Sequence, residues 1–295
     1  MTARIIDGRQ IATDLKLEIA KEVKKIKSQY NITPTLSVIL VGNNPASEVY
    51  VSNKEKAAHL VGINSIIHKF SSHISEIDLL EKIDELNNDK NIHGILVQLP
   101  LPKHIDSNKV IHKIDYKKDV DGFNIVNVGK LSVGDIKDKD SAIIPCTPLG
   151  SLHLLKSVLG DNLRGLKTLV IGSSNIVGRP LAQLLMLEGC TITIANSKTK
   201  DLKAECLNAD VIFSAVGIVN LIKADMVKKD TTIIDIGINR INLSDGKTKL
   251  VGDVDFENVK NIVRFITPVP GGVGPMTIAY LLKNTLNACL NNLKN

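Results

Sequence analysis

Residues Lys167 to Asn196, KTLVIGSSNIVGRPLAQLLMLEGCTITIAN, decide the fold. Thr168 to Ile171 form a short apolar run rich in β-branched residues, the pattern of a buried parallel strand. Gly172 ends the run, and the small polar loop Ser173, Ser174, Asn175 follows. Gly178 and Pro180 then open a helix, since a proline in the first turn loses no intrahelical hydrogen bond. Leu181, Leu184, Leu185 and Leu187 give that helix apolar contacts, and Gly189 closes it. Thr191 to Ala195 alternate β-branched residues as the next strand. Strand, glycine turn, helix and strand make one βαβ unit, the size of a mononucleotide-binding half.

Gly172 and Gly178 are six apart, and Ser174 stands where a GxGxxG pattern has its second glycine. Backbone N–H groups at a helix N-terminus still favour an anionic phosphate. The same residues also fit a strand–turn–helix that binds nothing. At the end of the second strand an NAD-preferring fold places an acid for the ribose 2′-hydroxyl. Here the chain reads Ala195, Asn196, Ser197, Lys198, and Ser197 with Lys198 suits a 2′-phosphate, which points to NADP. A plain polar loop has the same composition.

A chain of 295 residues makes one large or two medium domains. It is 43% hydrophobic but only 3% aromatic, with no tryptophan, so its core is aliphatic. The net charge of +6 favours acidic ligands or nucleic acid. Lysines interspersed with acids, as in Glu18 to Lys25 (EIAKEVKK), and the scarcity of stacking aromatics count against nucleic acid. Cys146, Cys190, Cys206 and Cys289 show no CxxC spacing and are expected to be reduced core residues of a cytoplasmic protein. The histidines form no HxxxH pair or cluster with cysteine, so no metal is expected. The first residues, MTARIIDGRQ, lack an apolar signal region, and no run approaches the roughly 20 apolar residues of a membrane helix.

Residues 8 to 30 carry Ile11, Leu15, Ile19, Val23 and Ile26 at helical spacing. Strands are expected over Thr35 to Val41, Ile63 to Lys69 and Ile92 to Gln98, with helices from Pro45 to Leu60 and Glu76 to Leu86. This alternation means a parallel sheet with crossovers. Asp115 to Ser141 is polar and aperiodic and reads as a functional loop with a domain boundary after it. Pro145 restarts order, and a helix runs to about Leu159. Beyond the central unit come a helix over Asp201 to Leu207, strands over Val211 to Val216 and Thr232 to Ile238, and an apolar run over Ile262 to Thr267. Pro268 to Pro275 is too rich in Gly and Pro for helix or strand and can offer backbone N–H groups to a ligand. Met276 to Leu293 is a last helix, free to cross back to the first domain.

Tyr50 and Lys54 are four apart on one helix face. A phenol beside an ammonium can stack a flat substrate, or simply form a solvated face. Gln98 ends a parallel strand, the edge that lines the ligand crevice in open α/β sheets, though a strand-end amide also satisfies backbone. Asp121 follows in a loop, where a carboxylate can take paired hydrogen bonds from an aminopyrimidine ring or merely complete a turn with Gly122.

Six segments are Tyr50 to Lys56 (YVSNKEK), Gly94 to Pro102 (GILVQLPLP), Lys118 to Phe123 (KDVDGF), Pro145 to Pro148 (PCTP), Val170 to Pro180 (VIGSSNIVGRP) and Pro268 to Thr277 (PVPGGVGPMT). In this order, along essentially the whole chain, they resemble the bifunctional methylenetetrahydrofolate dehydrogenase/methenyltetrahydrofolate cyclohydrolase family. Many relatives differ in carrying a basic residue near Ser173, or a histidine where Asn196 stands. The resemblance implies an α/β protein of two domains with a folate cleft between them. An N-terminal catalytic, folate-binding domain would span 1–144 with the returning helix 275–295. A C-terminal Rossmann-like NADP-binding domain with a parallel sheet would span 145–274. It implies an oxidoreductase and hydrolase of one-carbon metabolism. Methylenetetrahydrofolate would be oxidised with NADP and the methenyl product hydrolysed to 10-formyltetrahydrofolate, which serves purine biosynthesis. It also implies a cytoplasmic homodimer without nucleic-acid or membrane partners.

Carried over by residue, Lys54 is the catalytic lysine, Gln98 lies beside it, Tyr50 stacks on the folate and Asp121 holds the pterin. Pro270, Gly271 and Gly272 would line the folate site. Gly172, Ser173, Ser174, Ile176, Val177, Gly178, Arg179, Ser197, Lys198 and Ile238 would bind the cofactor. The hydrolytic step needs a proton acceptor and donor with a pKa near working pH. Lysines meet that need where burial and a cationic substrate depress them. A dehydrogenase-only member of the family, a shikimate-type two-domain dehydrogenase and a non-enzymatic nucleotide-binding protein are the competing readings.

Overall fold

The computed structural model describes residues 2–136, 141–242 and 247–293. In chain order the first elements are β1 (Arg4–Ile5), α1 (Gly8–Tyr30), β2 (Thr35–Val41), α2 (Pro45–Leu60), β3 (Asn64–Phe70), α3 (Glu76–Asn88), β4 (Gly94–Val97), α4 (Ser107–Lys113), α5 (Ile125–Ser132) and α6 (Cys146–Leu159). Then follow β5 (Lys167–Ile171), α7 (Gly178–Leu187), β6 (Thr191–Ala195), α8 (Leu202–Asn208), β7 (Val211–Ser214), β8 (Thr232–Asp235), β9 (Asn239–Asn242), β10 (Thr248–Val251), α9 (Phe256–Val259), β11 (Phe265–Ile266) and α10 (Val273–Leu293). The chain divides into two compact units. One holds Met1–Ala12 and Thr147–Thr277, the other Thr13–Cys146 and Ile278–Asn295.

The unit of Thr13–Cys146 and Ile278–Asn295 is built on a parallel sheet of order β3-β2-β4. Every residue of β2 is buried, which is why its sequence TLSVILV runs apolar without alternation. On one face Leu79, Ile83 and Leu86 of α3 pack with Ile39, Val41, Ile95 and Val97. The turn after β2 starts α2 with a firm cap. Asn44 Oδ1 accepts from the amides of Ala46 (3.0 Å) and Ser47 (3.2 Å), and Pro45 takes the first helical position.

The segment expected to be a functional loop, Asp115 to Ser141, instead contains α5. Asn124 caps it, accepting from the Val126 amide at 2.9 Å. Polar side chains stitch the remainder down. Lys118 Nζ donates to the carbonyls of Leu86 (3.1 Å), Asn87 (2.7 Å) and Asp89 (2.7 Å), neutralising the unpaired C-terminal end of α3. The buried Asp119 carboxyl accepts from Asn124 N (2.7 Å), Gly122 N (3.2 Å) and Asn127 Nδ2 (3.1 Å). Asn284 of α10 donates to the carbonyls of Val120 and Ile144, each at 2.9 Å. The lysine-rich part of the expected loop, 137–140, lies outside the described residues.

The other unit carries a fully parallel six-stranded sheet, β1-β11-β8-β7-β5-β6. Its first edge comes from the start of the chain. Arg4 and Ile5 pair in parallel with Phe265 and Ile266, so the first twelve residues belong with the nucleotide-type unit. The βαβ reading of Lys167 to Asn196 holds as β5, α7 and β6. The strands expected over Val211 to Val216 and Thr232 to Ile238 stop early, at Ser214 and Asp235, because the amides beyond them turn onto aspartate side chains. β9 and β10 pair antiparallel and were not expected, although Asp245 and Gly246 between them are a turn dipeptide. Pro268 to Gly272 is irregular, as expected, but Val273, Gly274 and Pro275 already form the first turn of α10. A first-turn amide has no intrahelical partner, so Pro275 costs nothing there. From Ile278 onward α10 belongs to the other unit, as expected for a returning helix.

Desolvation pushes the Asp119 carboxyl up to about 7, against the three hydrogen bonds that oppose the shift. A raised carboxyl contributes stability that is complete below its unfolded pKa and lost as pH climbs through the folded value. Urea denaturation should therefore find this unit weakening by a few kcal/mol, in order of magnitude, from about pH 4 to pH 7. Asp119→Asn should flatten that part of the profile, and an unchanged slope would show that Asp119 folds already ionised.

Candidate functional site

Three of the sequence-predicted residues sit at the carboxyl edge of the β3-β2-β4 sheet or on the helix beside it. Gln98 follows β4 directly, and its backbone amide still donates to Ile39 O at 2.9 Å. Its side chain is fixed at both ends: Nε2 donates to Leu99 O at 2.7 Å, and Oε1 accepts from Lys54 Nζ at 3.0 Å. The amide orientation is therefore set by its own neighbour, which presents an acceptor to the lysine. Lys54 is half-buried, and Tyr50, one turn earlier on α2, is 43% exposed. The phenol is a large ring held open to solvent, free to stack.

Asp121 projects from the turn that Asp119 and Asn284 hold in place. Its carboxyl lies above the usual carboxylate range because of desolvation, and the Lys54 cation pulls the other way. Gly122 at φ +74 makes this turn possible, and a Cβ there would meet the Ile143 carbonyl oxygen at 2.6 Å. Cys146 is buried in the same surroundings, and desolvation, then Asp121, push its thiol far up. It stays a thiol, bonded to Val120 O at 3.3 Å, rather than a nucleophile. Lys54, Gln98 and Asp121 thus form one cluster of a cation, a neutral amide and an acid.

In the other unit the glycine turn follows β5. Gly172 has φ +114, and a Cβ there would meet the Ala215 carbonyl oxygen at 2.6 Å. A Cβ on Gly178 would lie 1.9 Å from Gly172 O. Only glycines allow the backbone to fold back on itself this tightly. Ser174 is absorbed by the turn: its Oγ accepts from Val177 N (3.2 Å) and Gly178 N (3.4 Å), and its carbonyl from Arg179 N (3.0 Å). The amides of Asn175 and Ile176 have no intramolecular partner among the described residues and remain as donors. Ser173 is half-buried and Arg179 exposed at the same helix start. Ser197 and Lys198 are exposed in the turn after β6, which Asn196 closes by accepting from Lys198 N at 2.9 Å. This cradle, with no carboxylate at the end of β6, fits a dinucleotide carrying a 2′-phosphate. Ile238 follows β8 and is 46% exposed.

Pro270 is exposed, and Gly271 and Gly272 are buried, in the loop after β11. A Cβ on Gly8 would lie 1.9 Å from Gly272 O, so this loop rests backbone to backbone on the start of α1. Sequence reasoning missed Asn284, Asp119, Asp235 and Asp253, all buried and all bonded to loop backbone. Asp235 stood out as an acid within the apolar run Thr232 to Ile238, and the other three carried no such local signal. Among the described residues no three His, Cys, Asp or Glu side chains could hold a metal, and no helix is long and apolar enough to cross a membrane.

Comparison with known proteins accounts for both units. Residues 6–121 match the family model of the tetrahydrofolate dehydrogenase/cyclohydrolase catalytic domain, and residues 145–293 that of its NAD(P)-binding domain. A bifunctional protein FolD from a Wolbachia of Drosophila simulans is 53% identical over 97% of this chain and 95% of the relative. The crystal structure of the Campylobacter jejuni FolD methylenetetrahydrofolate dehydrogenase/cyclohydrolase is 46% identical with a TM-score of 0.92, covering 98% of this chain and 99% of that one. The Trypanosoma brucei enzyme, complexed with NADP cofactor and inhibitor, is 34% identical with a TM-score of 0.94 over the full length of both chains. With both domain models matched in order and relatives above half identity, the chain belongs to the tetrahydrofolate dehydrogenase/cyclohydrolase family.

Proposed function

We propose that this chain oxidises 5,10-methylenetetrahydrofolate to the 5,10-methenyl form with NADP and then hydrolyses that product to 10-formyltetrahydrofolate. The observation that carries the proposal is the 3.0 Å hydrogen bond from Lys54 Nζ to Gln98 Oε1, with Asp121 in the same cluster. NADP, held by the Gly172 to Arg179 turn and by Ser197 and Lys198, supplies the hydride acceptor. Tyr50 stacks on the flat pterin, and Asp121 accepts paired hydrogen bonds from its aminopyrimidine edge. These contacts orient the reacting carbon, and such positioning supplies most of the help a hydride transfer needs.

Loss of hydride leaves a methenyl cation bridging N5 and N10. A cationic substrate beside an ammonium favours loss of the ammonium proton, so water adds to the methenyl carbon as Lys54 Nζ takes the released proton. The C–N5 bond then breaks as Nζ returns a proton to N5 and the carbon-bound hydroxyl gives its own proton to water, leaving the formyl group on N10 with one proton released overall. Gln98 suits this cycle. A neutral acceptor directs Nζ without the ion pair that a carboxylate in its place would impose. The net charge of +6 fits an anionic folate and a phosphate-rich cofactor. We further propose a cytoplasmic homodimer whose formyl product supplies purine biosynthesis.

The test mixes purified protein with methylenetetrahydrofolate and NADP, following reduced nicotinamide and methenyl absorbance together. Reduced cofactor with little methenyl build-up, and decay of added methenyltetrahydrofolate above the buffer rate, is the expected result. Reduction with persistent methenyl would leave a dehydrogenase alone. Lys54→Met should abolish the cyclohydrolase activity while the fold is kept, and turnover like that of the wild type would remove Lys54 from the mechanism. Asp121→Ala should raise KM for the folate by at least about tenfold with little change for NADP, the loss of a charge-assisted pair. Equal losses for both ligands would instead mean general damage.

A further inference from the structure

A second set of buried acids lies under the carboxyl edge of the six-stranded sheet, and none of the roles above uses it. Asp253 is fully buried. Its Oδ2 accepts from Val216 N (2.9 Å), Gly217 N (3.3 Å) and Ser214 Oγ (3.0 Å). Its Oδ1 accepts from Ile218 N (2.9 Å) and Asn239 Nδ2 (3.1 Å). Three successive amides, with Gly217 at φ +68, turned onto one anion make a backbone nest. Elsewhere such nests hold phosphate, whereas this one is filled by the protein's own carboxylate.

Asp253 is itself held. Asp235 accepts from the amides of Asp253 (3.0 Å), Val254 (3.0 Å) and Gly237 (3.1 Å). Two glycines let the acids in: a Cβ on Gly237 would lie 2.1 Å from Asp253 Oδ1, and one on Gly252 would lie 1.9 Å from Asp235 Oδ2. The anchored loop, Ala215 to Ile218, abuts the dinucleotide turn, since Ala215 O is the atom a Cβ on Gly172 would strike. With its amides spent on Asp253, the loop has no N–H left for phosphate, and the buried negative charge repels one. What the neighbouring strand ends β5, β7 and β8 expose instead is apolar: Ile176, Ile218, Val219 and Ile238 are between 39% and 54% exposed.

We propose that Asp253 is a positioning residue for the dinucleotide, filling the nest of Val216 to Ile218 so that this loop offers the flat nicotinamide ring, which carries no phosphate, an apolar floor. The phosphates are thereby left to the Gly172 to Arg179 turn. The inference rests on the reading that this unit takes NADP.

Three measurements on the full chain test it: calorimetric titration with NADP, hydrogen exchange of the loop amides, and cyclohydrolase turnover, which needs no cofactor. Asp253→Asn puts an NH₂ where one acceptor oxygen stood. It should weaken NADP binding by about tenfold. Exchange at Val216, Gly217 and Ile218 should accelerate while β5 and β7 stay protected, and cyclohydrolase turnover should remain within about twofold of wild type. Faster loop exchange with unchanged affinity would overturn the proposal, as would an affinity loss accompanied by exchange rising across β5 and β7. If that variant does not fold, Ser214→Ala and Asn239→Ala each remove one donor from the same carboxylate. Both should weaken NADP binding by about threefold with the same local exchange, and unchanged affinity in both would refute the role. A wild-type chain that does not bind NADP would sink the cofactor reading and this inference with it, whereas loss of the role in the variants alone would sink only this inference.

Discussion

A parallel strand buried on both faces has no room for a functional group along its length, so chemistry has to be placed where the strand stops. β2 is buried at every position, and β4, β7 and β8 likewise. All strands of the two main sheets run parallel, so within each unit their carboxyl ends come out on one side. Gln98 is the first residue past β4, Gly172 the first past β5, and Asn196 to Lys198 the first past β6. The aliphatic cores are thus the scaffold that decides where polar residues can act, and the loops inherit their positions from the strands.

Loops at such an edge face a difficulty of their own. Their backbone groups lie close to an apolar interior, and each one buried without a partner costs about 1–3 kcal/mol. This protein answers with buried side chains that each serve several backbone groups. Asp253 takes three loop amides and Asp235 three more, while Lys118 satisfies three carbonyls and Asn284 two. A single long polar residue can therefore hold a loop rigid without regular structure. The turn that carries Asp121 is held by such residues on both sides.

These anchors explain what the sequence disclosed and what it did not. Apolar periodicity found the cores of β2, α1, α3 and the βαβ unit, because burial imposes that periodicity directly. It placed Lys54 with Gln98 correctly at the level of elements, one on a helix and one at a strand end, but their 3.0 Å contact joins residues 44 positions apart and no local pattern encodes it. The strand ends were misjudged at Val216 and Ile238 for a similar reason. Apolar residues continue past Ser214 and Asp235, and only the distant Asp253 and the local Asp235 carboxyl turn the chain away. Likewise the first twelve residues look like the start of the first unit until the pairing of β1 with β11 is known.

The two acids with carboxyls near 7, Asp119 and Asp235, stand in different units yet solve the same problem. Each is buried, each is raised chiefly by desolvation, and each accepts from backbone amides, Asp119 from Gly122 and Asn124 of its own turn and Asp235 from Gly237 and the distant Asp253 and Val254. In each case a second acid stands close by and adds to the shift: Asp121 beside Asp119, and Asp253 beside Asp235. The partner of Asp119 is the acid proposed to meet the pterin, and the partner of Asp235 is the acid that fills the nest. In the first pair Asp119 holds backbone beside Asp121, and in the second both acids hold backbone, Asp235 at Gly237, Asp253 and Val254 and Asp253 at Val216 to Ile218. A fold that must keep a carboxylate in a poorly solvated place does so by surrounding it with amides, and the cheapest source of amides is a turn closed by another carboxylate.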